Sequence, residues 1–252
     1  MIRFLSIASG SKGNATLIYD EKTLFQIDMG VSLKSLQVGL NKIHKSLEQI
    51  EMVFITHEHS DHIKGVNILI RRGLPIYCSE NTPLEKANHF FEGEAFHLGD
   101  FYIVPFAISH DATNPVGYLI VNHDESLVYL TDTGIISETN LALIKNRTYY
   151  LIESNHDLKM LFSSHRPMSL KRRIHGDHGH LSNTESAEYM SLVIGDKTKG
   201  IYLAHLSEEC NKEEVALSTY RAILENHDID LSGISIKCLH QWQMTLGGDD
   251  EN

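Results

Sequence analysis

Thr56-His57-Glu58-His59-Ser60-Asp61-His62 is the stretch whose reading decides the fold. His57, His59, Asp61 and His62 are all good metal ligands. The apolar run Met52-Val53-Phe54-Ile55 precedes them and has strand character. Ile63, Val66, Asn67 and Ile70 follow at helical spacing, up to a helix stop at Gly73. The motif is therefore a strand-end loop running into a helix N-terminus. On an extended chain His57 and His59 face one point. Asp61 and His62, in the first helical turn, face a second point a few ångströms away. Imidazole and carboxylate suit zinc, manganese or iron. A chain with 16 His has histidine-bearing loops by composition alone, but the H-x-H-x-D-H spacing adds order to that composition.

The same arrangement recurs outward from this motif. Residues 2–7 and 15–19 form strands around Ser9-Gly10-Ser11-Lys12-Gly13-Asn14, which reads first as a tight turn and second as an anion contact through its backbone N–H groups. The strand over 23–27 ends at Asp28, placed either to orient a ligand histidine or to cap the helix starting near Ser32. Residues 82–89 suggest a short helix, and 101–109 a strand pair interrupted near Pro105 and ending at His110. A hairpin over 116–121 and 127–130 ends at Asp132. Strands over 148–152 and 201–204 end at Glu153-Ser154-Asn155-His156-Asp157 and at His205. Helices follow at 182–193, with Ser182 and Glu185 as a capping box, and at 212–226. Residues 234–238 suggest a closing strand, and 246–252 read as an acidic disordered tail. One domain over 1–245 is expected, without internal repeat or linker.

Bulk properties narrow the class. The chain has 252 residues, enough for a large core in one α/β domain, with 42% hydrophobic and 22% charged residues. No apolar run approaches a membrane span, and the N-terminus lacks the apolar region and cleavage site of a signal peptide. Cys78, Cys210 and Cys238 are odd in number and widely spaced, which fits a reducing cytoplasm better than a disulfide framework. A net charge of -11 argues against a generally basic nucleic-acid binder. Arg166-Pro167-Met168-Ser169-Leu170-Lys171-Arg172-Arg173 is an exception, a cationic run without an acid. Phosphate contact through Arg172 and Arg173 is the functional reading of this run, and a solvated helix face the competing one.

In order and spacing these residues resemble the metallo-β-lactamase fold. His57, His59, Asp61 and His62 match its first motif, with Asp28 as the preceding strand-end Asp. His110, Asp132 and His205 match its later ligands. From His110 to Asp132 is 22 positions, too few for the tRNA-gripping arm of many tRNA-processing members. From Asp132 to His205 is 73 positions, too few for a β-CASP insertion. His59 stands where flavodiiron oxidases have Glu, which weighs against redox chemistry, and the ligand set lacks the Cys of many true β-lactamases. Further strings are similar to the WalJ/YycJ branch of bacterial nucleases: Ser9-Gly10-Ser11, His110-Asp111-Ala112, Thr131-Asp132-Thr133-Gly134, Glu153-Ser154-Asn155-His156-Asp157, Gly179-His180-Leu181-Ser182-Asn183 and Ala204-His205-Leu206-Ser207-Glu208. Arg173-Ile174-His175-Gly176-Asp177-His178 departs from that pattern by its extra histidines.

The resemblance implies an αββα sandwich, with two mixed sheets and helices on the outer faces. It also implies a metal-dependent phosphodiesterase acting on DNA, a 5′-to-3′ exonuclease in which hydroxide held by two divalent ions (Zn or Mn, with Fe a third choice) attacks phosphorus in line. The first ion would take His57, His59 and His110; the second Asp61, His62 and His205; Asp132 would bridge. Asp61 and His180 are the expected catalytic residues, His180 as proton donor to the leaving oxygen. Asn155 and His156 are expected to support a ligand from behind or to contact substrate, with simple turn structure the alternative, and Asp28 is expected behind a ligand. Hydrolysis of small phosphodiesters, or of a thioester or lactone, is the alternative on the same fold, and a relic binding protein a third.

Overall fold

The computed structural model describes residues 1–91 and 93–249. Alternating apolar residues build fourteen strands, β1 Arg3–Ala8, β2 Ala15–Tyr19, β3 Leu24–Ile27, β4 Met52–Phe54, β5 Ile76–Ser79, β6 Asn88–Phe90, β7 Phe96–Leu98, β8 Phe101–Ala107, β9 Val116–Asn122, β10 Glu125–Leu130, β11 Tyr149–Glu153, β12 Gly200–Ala204, β13 Ser235–Cys238 and β14 Thr245–Gly248. They pair into two seven-stranded sheets, in the orders β14-β1-β2-β3-β4-β5-β6 and β13-β12-β11-β10-β9-β8-β7. Both sheets are mixed. β3, β4, β5 and β6 run parallel in the first, and β10, β11, β12 and β13 in the second.

Parallel strands buried on both faces read as continuous apolar runs, such as Tyr149-Tyr150-Leu151-Ile152. One face of each sheet meets the other around Phe4, Phe25, Phe54, Tyr118, Tyr129 and Tyr202. Edge-to-face pairs such as Phe25–Phe101 at 5.2 Å are worth about 0.5–1.5 kcal/mol each beyond area burial. Helices cover the outer faces. α1 Leu33–Lys42 lies over the first sheet with the short α2 Ser60–Ile63 and α3 Val66–Arg71. α4 Glu138–Ile144, α7 Asn183–Val193 and α8 Glu213–Asn226 cover the second sheet. α5 Leu158–Ser163 and α6 Met168–Ile174 form a satellite beside it. This is the αββα sandwich, without a β-CASP insertion between Asp132 and His205.

Several local expectations need correction. The strand over 101–109 is unbroken through Pro105, which pairs with Tyr118 where β7 no longer flanks β8; the missing N–H faces no ladder there. Residues 82–89 form turns leading into β6 rather than a helix. The helix after the metal motif is two pieces, because Gly65 turns its N–H to the Met29 carbonyl at 2.7 Å. Leu246, Gly247 and Gly248, expected in a disordered tail, belong to β14 and pair with β1; residues 250–252 lie outside the described residues. The Ser32 cap of α1 and the Ser182–Glu185 capping box are present.

Candidate metal centre

β8, β10, β11 and β12 run in one direction in the second sheet, as do β3 and β4 in the first. Their C-terminal ends share an edge, and the histidines and carboxylates stand there. Asp28, Asp132 and His205 have φ of 59°, 57° and 56°, the left-handed region that side chains other than Gly seldom occupy. Each turns the chain back over the sheet edge just beyond its strand. Strain of this kind persists where the surroundings over-determine it, and here they do. Asp28 accepts from the Thr56 N–H at 2.9 Å, and the His205 N–H donates to Ser9 Oγ at 2.8 Å. Gly30 makes the metal loop possible, since a Cβ there would lie 1.6 Å from the Asp61 carbonyl oxygen.

The ligating atoms of His57, His59 and His110 lie together, as do those of Asp61, His62 and His205; His57, His62 and Asp132 form a third group that joins the two. His110 Nε2 is 3.3 Å from His59 Nδ1, and Asp132 Oδ2 is 3.2 Å from His62 Nε2. The second ring nitrogens of His57, His62 and His110 are held from behind. His62 Nδ1 donates to Asp28 at 2.8 Å, His57 Nδ1 meets Thr56 Oγ1 at 3.1 Å, and His110 Nδ1 donates to the Gly179 carbonyl at 3.1 Å. Such partners fix tautomer and ring orientation so that the other nitrogen offers a lone pair.

Burial and neighbouring charge set the protonation. Burial pushes the His57 and His110 imidazoles below their ordinary range. Burial also pulls His62 and His205 down, but Asp28 and Asp132 reverse this for His62, which ends well above the ordinary value. Asp132, Asp61 and Glu153 do the same for His205, pushed up to about 10. Burial raises Asp132, and His205 and His62 more than compensate, holding it well below the usual carboxylate range.

His57 Nε2, on a ring that burial pushes toward the neutral form, is buried without a hydrogen-bond partner. A buried acceptor left unsatisfied costs about 1–3 kcal/mol, and a cation satisfies several converging acceptors together. The donor set fits a divalent metal, and its nitrogen and oxygen character suits zinc, manganese or iron.

Glu153 had no assigned role in the sequence, yet it lies at the centre of the site. It ends β11, fully buried, and its Oε1 is 2.9 Å from both His180 Nδ1 and His205 Nδ1. Burial raises its pKa, but His180 and His205 bring it down to about 2. Its strand-end position is the same signal that marked Asp28 and Asp132. Asn155 is buried and donates to the His205 carbonyl at 2.8 Å, and His156 is fully buried. Neither lines the cleft; Asn155 supports His205 from beneath, and His156 packs against His175.

A cleft of about 320 Å³ opens over the ligands, walled by Ser11, Asp111, Arg166, Arg173 and His180. The cationic run divides in three. Arg166 and Arg173 face the cleft, paired with Glu209 and Asp111. Lys171 is buried and caps the carbonyls of Phe162 and Ser164 at 2.8 and 2.7 Å. Arg172 is exposed and does not line the cleft.

The family model described as a β-lactamase superfamily domain matches residues 27–205. The chain is 39% identical over 249 residues to exodeoxyribonuclease WalJ of Streptococcus pneumoniae serotype 2 strain D39, covering 93% of this chain and 92% of that one. It is 36% identical over 236 residues to exodeoxyribonuclease YycJ of Bacillus anthracis, covering 89% of each. In structure it superposes with a TM-score of 0.73 on the metallo-β-lactamase fold protein YhfI of Bacillus subtilis, at 15% identity, covering 98% of this chain and 99% of that one. A strand-end set of histidines and carboxylates, a matching family model and full-length relatives agree: the chain belongs to the β-lactamase superfamily, in the branch that holds the WalJ and YycJ exodeoxyribonucleases.

Proposed function

We propose that the chain is a metal-dependent phosphodiesterase that removes nucleotides from DNA in the 5′-to-3′ direction, in the cytoplasm, using two divalent cations. The observation that carries this reading is the pair of three-ligand groups joined by Asp132 at the floor of a cleft walled by Arg166 and Arg173. The exodeoxyribonuclease relatives support DNA as substrate, and the family resemblance of the sequence supports the direction. His57, His59 and His110 would hold one cation, Asp61, His62 and His205 the other, with Asp132 between.

When bound, such a pair supplies positive charge to a phosphate oxygen and makes a water acidic enough to attack at neutral pH. The chain's own groups do the rest. Arg166 and Arg173 position the phosphodiester backbone without reading its bases. Glu153 holds the Nδ1 proton of His180, so the proton delivered to the leaving oxygen is the one on Nε2. Asp61 is fixed by Asn14, whose Nδ2 lies 3.3 Å away. No helix among the described residues is long and apolar enough to cross a membrane.

The direct test is a substrate panel, run with manganese and with zinc: linear DNA, bis-p-nitrophenyl phosphate and an acyl thioester. Turnover of DNA with a 5′-terminal label released first is the expected result. Turnover of the thioester alone, or of the nitrophenyl ester without DNA, would overturn the nuclease reading. Changing Arg166 and Arg173 together to Ala should weaken DNA binding and reduce the slope of log affinity against log salt by about 1–2, since two phosphate contacts release fewer counterions. An unchanged slope would return these arginines to their ion pairs with Glu209 and Asp111. Arg172→Ala, one residue away, serves as the control that leaves the slope alone.

A further inference from the structure

Beside the metal cleft lies a larger groove of about 780 Å³ that the catalytic reading leaves without a role. Ser11 and Asp61 line both cavities, so the groove continues directly from the reaction site. Lys12 and Lys64 stand on its walls, Ile7, Ile68 and Met244 give it apolar surface, and Trp242 forms its rim. Trp242 is the one tryptophan of the chain and is 73% exposed.

Large exposed indoles are uncommon, and this one is held rigidly. Its Nε1 donates to Glu208 at 2.5 Å, and Lys12 Nζ covers one face of the ring, 5.3 Å from the centroid, which leaves the opposite face for stacking. The preceding Gln241 is locked to the loop over 9–14: it accepts from the Lys12 N–H at 2.8 Å and donates to the Gly13 carbonyl at 2.9 Å. The platform is therefore built before any ligand arrives, and pre-organised aromatic surface loses little entropy on binding. Lys64 has no ion-pair partner among the described residues, and Lys12 pairs only with Glu208.

We propose that this groove is the subsite for the nucleotide next to the scissile phosphate in a single DNA strand, with its base stacked on Trp242 and its phosphate met by Lys12 and Lys64. The inference rests on the nuclease reading and adds where the strand lies. Four features support it: the cavity volume suits a nucleotide, the wall charges complement a phosphate, an aromatic face is fixed at the mouth, and the groove runs into the metal cleft. Stacking on an aromatic side chain is sequence-tolerant, which suits an exonuclease that must accept every base.

A single tryptophan makes the test direct. The metal-loaded protein is titrated with a phosphorothioate oligothymidylate that resists cleavage, and Trp242 fluorescence should be quenched saturably. Trp242→Ala should raise KM for single-stranded DNA by roughly 5- to 150-fold, with kcat and the hydrolysis of bis-p-nitrophenyl phosphate little changed. Trp242→Phe should recover most of the loss, and Lys64→Gln should add to it. Unquenched fluorescence, or an unchanged KM in Trp242→Ala while the wild type still degrades DNA, overturns the subsite and leaves the nuclease reading standing. A fluorescence change with lipid vesicles and none with the oligonucleotide assigns the face to a membrane and also overturns it. A wild type that cleaves the nitrophenyl ester but no DNA removes the nuclease reading and the subsite together.

Discussion

Replacing His180 with alanine should lower turnover on DNA by about 10²- to 10⁴-fold, the range for loss of a general acid or base, with metal content and DNA affinity kept. The reason is geometric. His180 lines the cleft, its Nδ1 is engaged by Glu153 at 2.9 Å, and its Nε2 is left to protonate the departing oxygen. The loss should shrink for bis-p-nitrophenyl phosphate, because p-nitrophenolate leaves without a proton. Glu153→Gln should show the same substrate dependence in weaker form, since an amide holds the ring but not its charge. Equal losses on both substrates, with metals retained, would take His180 off the list of proton donors.

Asp132→Asn is expected to act on metal and on fold together. The carboxylate joins the two ligand groups, so metal analysis should show loss of metal and activity should fall with it. In chelator a second effect appears. Asp132 Oδ1 lies 3.3 Å from His205 and Oδ2 3.2 Å from His62, all buried. Removing one partner of a buried charge pair destabilises by about 3–5 kcal/mol, readable as a lower denaturant midpoint. The pH dependence has a definite sign. Asp132 is held below its ordinary 3.8, so its share is present above that pH and lost on acidification through the depressed value. His205 is raised from 6.5 to about 10, so its share is full below 6.5 and lost as pH rises through 10. The gap between wild type and variant should be widest between those limits. A gap that grows above pH 10 would show that the pair does not contribute in this way.

The sequence carried much of this site because ligands obey spacing and strands obey alternation. His57, His59, Asp61 and His62 occupy one loop, and His110, Asp132 and His205 each follow an apolar run, so all of them were legible. Glu153 was equally visible at the end of β11, but its role depends on where His180 and His205 come to rest, and those lie 27 and 52 positions away. Asn155 fits the supporting alternative, because buried polar side chains are what a ligand-bearing loop rests on, whereas His156 packs away from the ligands, against His175. Pro105 was read as an interruption because its tolerance depends on which neighbour flanks the strand, a tertiary matter. Trp242 left no local signal at all. Its significance comes from Gln241 bonding the loop over 9–14, more than two hundred residues upstream.

β14 pairs with β1, Gly248 opposite Arg3 and Thr245 opposite Ser6. On the ribosome this pairing has a timing. β1 emerges well before β14, and its outer edge stays unpaired until residues 245–248 arrive, more than two hundred residues later. Contacts of such separation form late, and an unpaired apolar edge is a template for wrong partners meanwhile. The segment that closes this edge begins just after Trp242. The first sheet and the rim of the groove are therefore completed by the same late segment of the chain.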